Sequence, residues 1–145
     1  MNNTKKGFIT AATIIGIIEA ASLIFIGLIL LISFKSIDAE MILSILAAEE
    51  ELILTDAEIS FILSFSKIFM VIFSIYSIVM GAAMLTLSIL VLKNKNKGVF
   101  KKGLAIALLV ISVLNGNMLS TAFIIVALCI KDKTAAEIVE ENMNK

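Results

Sequence analysis

The chain has 145 residues, 60% of them hydrophobic, with a mean hydropathy of +1.08. A soluble domain carries about 45–50% apolar residues, so most of this apolar surface must face lipid or other spanning helices, and one compact membrane domain is expected. Twelve Lys balance twelve Asp plus Glu, while a single Cys and no His exclude internal disulfides, His-based catalytic triads and His-ligated metal sites.

Arg, Pro and Trp are also missing, and Ile, Asn and Lys abound. That bias fits an A/T-rich bacterial genome and says nothing about mechanism. Three stretches are almost free of charge. Gly7 to Phe34 holds only Glu19, and Ile68 to Leu92 and Gly103 to Ile130 hold no charged side chain. A bilayer core about 30 Å thick needs about 20 apolar residues at 1.5 Å each, and each stretch exceeds that.

In chain order, Asn2 to Lys6 precede the first apolar run. The run is longer than the roughly 7–15 residues of a signal-peptide core and no convincing cleavage site follows, so it reads as an uncleaved first span, 8–34. A connection over 35–67 follows, with seven acids: Asp38, Glu40, Glu49, Glu50, Glu51, Asp56 and Glu58. Ile37, Met41, Ile42, Ile45 and Leu46 recur at helical spacing, as do Ile59, Ile62 and Leu63. Thr55 with Glu58 three residues later fits a capping box. Two short amphipathic helices are therefore expected in this outer loop, the second running straight into span two, 68–92. Their simplest role is packing on the top of a bundle or at the headgroup interface; a partner-docking surface is the alternative.

The link over 93–102 carries Lys93, Lys95, Lys97, Lys101 and Lys102. Such a cluster can bind anionic lipid headgroups, and it is also what the positive-inside rule requires of a cytoplasmic loop. The last apolar stretch suits either one tilted helix or a hairpin. Asn115-Gly116-Asn117 at its midpoint is a strong turn signal, and it divides the stretch into 103–115 and 117–130. Charge favours the hairpin. Lys5 and Lys6 put the N-terminus inside, the acidic loop falls outside and the five-Lys link returns inside. A hairpin then brings Lys131 and Lys133 back to the inside. The tail, 134–145, repeats a capping-box pattern at Thr134 and Glu137.

The expected fold is all-α: an integral-membrane four-helix bundle, multi-pass, with both termini cytoplasmic. This arrangement resembles a family of short four-helix membrane proteins from Gram-positive bacteria known only as a domain of unknown function. The matching parts are the first span, the acidic outer loop, the second span ending in a Lys cluster, and a two-helix end reading Lys102-Gly103-Leu104-Ala105-Ile106-Ala107-Leu108-Leu109, then Asn115-Gly116-Asn117, then Ile125-Val126-Ala127-Leu128. This chain has fewer glycines in that end. The resemblance implies a topology, no reaction and no functional residues.

Glu19 is the one ionisable group deep in a span, about 16 Å from its cytoplasmic end. A bare carboxylate there costs roughly 2.5–3.5 kcal/mol, so a largely neutral side chain is expected at pH 7. At 100° per residue, Ala12, Gly16, Glu19, Ala20 and Gly27 fall on one face, within about 60° of Gly16. Small residues mark helix–helix interfaces in membranes, so Glu19 is expected to point at neighbouring helices. Span two offers Ser74, Ser77, Gly81 and Ser88 on one face, with Met70 and Met84. Ser77 is a candidate hydrogen-bond partner for Glu19, with Gly81 close by. Asn115 and Asn117 reach a similar depth if the hairpin is shallow. Glu19 is then either a packing residue that fixes register or the centre of a small proton- or cation-coupled transporter or channel, which would work as an oligomer. An enzyme is disfavoured because no nucleophile, base or metal ligands converge. No catalytic residue, metal or cofactor is assigned. The partners expected are membrane lipids and other membrane proteins or further copies of the chain, with no nucleic acid. Cys129, near the inner boundary, is read as a small apolar residue rather than a lipidation site.

Overall fold

The computed structural model describes residues 3–38, 40–41, 44, 55–97 and 101–130. Among them the secondary structure is α-helical, with one 3-10 turn and no strand. Helix α1 runs Asn3–Ser33 and passes into the turn Phe34–Ser36. Helix α2 runs Asp56–Asn96, α3 Lys102–Leu114 and α4 Met118–Cys129. With no proline to break them, α1 and α2 reach 31 and 41 residues, about 46 and 62 Å. Both are long and apolar enough to cross a membrane. At 13 and 12 residues, α3 and α4 measure only about 20 and 18 Å.

The outer connection is partly seen. Asp38 Oδ1 accepts the Met41 N–H at 2.8 Å, and Ser44 Oγ donates to Met41 O. This is the local turn chemistry of a helix start. Ile42, Ile45, Leu46 and the acids Glu49, Glu50 and Glu51 lie outside the described residues, as do Lys131, Lys133 and the tail. The second amphipathic segment runs into span two as expected, because α2 begins at Asp56. Its capping box is complete. The Thr55 N–H and Oγ1–H both donate to Glu58 Oε2, at 2.8 and 2.7 Å, and the Glu58 N–H reaches Thr55 Oγ1 at 3.4 Å. These bonds from Thr55, the backbone one foremost, hold the Glu58 carboxyl below the usual carboxylate range.

The chain packs as two compact units, Ser22–Val79 and Met1–Ala21 with Met80–Lys145. In the Ser22–Val79 unit, Gly27 lets α1 approach α2 closely. A Cβ built there would stand 2.9 Å from Ser74 O and 2.6 Å from Ile78 Cγ1, and Ser74 Oγ donates to Gly27 O. The other unit has a core of Ile9, Ala12, Ala20, Met84, Val91, Ala105, Leu108, Ile124 and Ala127. Gly16 faces Ser88 and Met84 there. The small-residue faces read from the sequence are the packed ones: Ala12, Gly16, Ala20 and Gly27 on α1, and Ser74, Ser77, Gly81, Met84 and Ser88 on α2, are all buried. Met70 is half-buried.

The last apolar stretch is a hairpin. The Asn117 N–H donates to Ser112 O at 2.9 Å and the Gly116 N–H to Val113 O at 3.0 Å. This pair of bonds is a Schellman motif, closed by Gly116 at φ +72°. Asn117 then caps α4, its Oδ1 accepting the Ser120 N–H at 2.8 Å. Asn-Gly-Asn thus ends one helix and starts the next with no residue between the two devices.

Candidate functional site

Within the unit that holds the hairpin, two places collect polar chemistry. The first surrounds Glu19. Gly16, about 60° away on the helical wheel, abuts α2, so Glu19 stands on the flank of the packed face. There it shares an open hollow with Ile15 and Ile18 of α1 and with Gly116, Asn117, Met118 and Leu119 of the hairpin tip. The side chain is half-buried. Its Oε2 is buried and has no hydrogen-bond partner among the described residues.

Ser77 is buried in the Ser22–Val79 unit, and its Oγ likewise makes no bond among the described residues. Gly81 is buried but does not line the hollow. Of the two asparagines, Asn117 comes to Glu19, while Asn115 directs its Nδ2 to Met84 Sδ at 3.8 Å. The first turn of α4 faces the hollow, and its N–H groups carry about half a positive charge. A wheel angle cannot show this, because it says which way a side chain leaves its own helix and not where a third helix begins.

Beside the hollow runs a line of hydroxyls. Ser112 Oγ donates to Ser120 Oγ and Ser120 Oγ to Ala12 O, both at 3.3 Å, which ties α3, α4 and α1 together. Ser88 Oγ is buried against Gly16 with no bond among the described residues.

The second polar place is the opposite end of the hairpin. Lys5 is only 2% exposed, and its Nζ donates to Ile130 O, the C-cap of α4, at 3.1 Å. Lys95 Nζ donates to Thr10 Oγ1 at 2.6 Å, and Thr10 Oγ1 donates on to Lys6 O. Lys95 is thus turned inward, whereas Lys93, Lys97, Lys101 and Lys102 are exposed. The sequence used Lys5 only as a topology marker. Its buried cap needs a helix end 125 positions away, and no local pattern announces it. Among the described residues no three His, Cys, Asp or Glu side chains stand together so as to hold a metal ion. Compared with known proteins, the chain matches no protein family, no curated protein and no solved structure.

Proposed function

We propose that the chain is a small, non-enzymatic, multi-pass membrane protein of the cell envelope, a four-helix bundle that acts through contacts with lipids and other membrane proteins. One observation carries the membrane reading: the polarity is inverted. Thr13, Ser74, Ser77, Ser88, Ser112 and Ser120 are buried, while Phe25, Ile32, Phe61, Phe65 and Phe69 are exposed. Water drives the reverse distribution; helices in lipid associate through small and hydroxylated residues and leave large apolar ones outside. Phe61, Phe65, Phe69 and Phe73 stack in a ladder up one side of α2 at centroid spacings of 6.1–6.4 Å, a surface suited to acyl chains.

The same geometry supports an orientation with both termini cytoplasmic. The bonds of Lys5 to Ile130 and of Lys95 to Thr10 gather the start of α1, the end of α2 and the end of α4 at one lysine-rich end. That end belongs inside by the positive-inside rule. A Glu140→Cys, Cys129→Ser protein in intact cells should resist a membrane-impermeant maleimide and react after permeabilisation. Labelling from outside would refute the orientation. A second reading, a proton- or cation-coupled transporter, is favoured by the buried Glu19 Oε2, which has no hydrogen-bond partner among the described residues. On that reading Glu19→Gln abolishes ion flux in proteoliposomes; absence of flux in the parent protein would reject it.

A further inference from the structure

The hairpin tip poses a problem in lipid. Helix α3 starts at Lys102, and its 13 residues carry the turn about 20 Å into a core about 30 Å thick. The tip thus stops about 10 Å short of the far side, at hydrocarbon depth. Non-helical backbone is tolerated at that depth only where protein buries it or water fills the space beside it. The described residues do not bury this turn: Gly116 is exposed and Met118 is 85% exposed. Three residues between two helices also cannot pair every terminal N–H and C=O of both. Beside them stand the polar side chains of Asn117 and Glu19.

We propose that the hollow at the hairpin tip is an aqueous, cation-attracting vestibule, sunk into the bilayer from the side opposite the lysine end, with Glu19 on its wall. Water there solvates the turn and the part of the Glu19 side chain that lines the hollow. It also removes much of the cost that a dry midplane would impose on a carboxylate, so that Glu19 carries charge here in place of the neutral form expected at a dry midplane. The α4 N-terminus offsets about half of the Glu19 charge, so the net field in the vestibule stays negative and draws small hydrated cations rather than anions.

This inference rests on the membrane reading, and thiol labelling separates the two. Met118→Cys and, separately, Leu119→Cys are made in a Cys129→Ser protein; both parent side chains are exposed, so neither change disturbs the core. Intact cells are treated from outside with impermeant cationic and anionic methanethiosulfonates. Both cysteines should react, several-fold faster with the cationic reagent, and Glu19→Gln should bring the two rates together. Lys97→Cys at the exposed lysine end should stay silent. If Met118→Cys and Leu119→Cys react only with a membrane-permeant maleimide while Lys97→Cys stays silent, the tip is covered by lipid or by a second copy and the vestibule is refuted. Equal cationic and anionic rates in the parent background would remove Glu19 from it. Labelling of Lys97→Cys from outside would overturn the orientation and the vestibule with it.

Discussion

Gly27→Ala is expected to destabilise the protein by about 2–3 kcal/mol on unfolding in mixed micelles, the sum of overpacking and a weakened interhelical bond. The added methyl carbon would stand 2.9 Å from Ser74 O and 3.2 Å from the Ile78 N. Both are backbone atoms and cannot swing aside. α1 and α2 must separate locally, and the bond from Ser74 Oγ to Gly27 O lengthens with them. Gly16 is the internal control. Its added carbon would meet Ser88 Oγ at 2.6 Å and Met84 Cε at 3.6 Å, and both belong to side chains that can turn. Gly16→Ala should therefore cost about 1 kcal/mol, at the low end of overpacking, and Ser88→Ala should relieve it. Equal losses at the two glycines would mean that close backbone approach is not what Gly27 provides.

Those two glycines show what the sequence makes legible. A helix repeats every 3.6 residues, so small residues spaced three and four apart must lie on one face. The stripes Ala12, Gly16, Ala20 and Ser74, Ser77, Gly81, Ser88 are indeed the buried ones. Local chemistry is legible for the same reason. Thr55 and Glu58 close their capping box, and Asn115-Gly116-Asn117 turns the chain, because each device is complete within a few residues. The environment of Glu19 was not legible. Periodicity placed it near the packed face, but the arrival of the hairpin tip beside it depends on how helices distant in sequence cross. The line from Ser112 through Ser120 to the Ala12 carbonyl escaped for the same reason, since serines in apolar helices look alike until two of them meet.

Lys5→Met should cost about 1.5–3 kcal/mol, the range for a hydrogen bond to a charged group, and should loosen the end of α4. Methionine keeps most of the apolar stem and removes the ammonium. Lys5 is 2% exposed and donates to Ile130 O. That carbonyl closes α4, where unpaired C=O groups carry about half a negative charge. A cation at that point both fills an acceptor and opposes the dipole, and its burial keeps water from doing the same. Lys6→Met at the half-buried neighbour should change stability by no more than about 0.5 kcal/mol. Hydrogen exchange at the backbone of Ala127 to Ile130 should accelerate in Lys5→Met and not in Lys6→Met. Added salt decides the mechanism. Exposed charges are screened within about 10 Å at 0.1 M salt, whereas buried pairs are screened far less. The loss in Lys5→Met should therefore persist at high salt; a loss that disappears there would assign Lys5 to surface electrostatics and refute its role as the cap of α4.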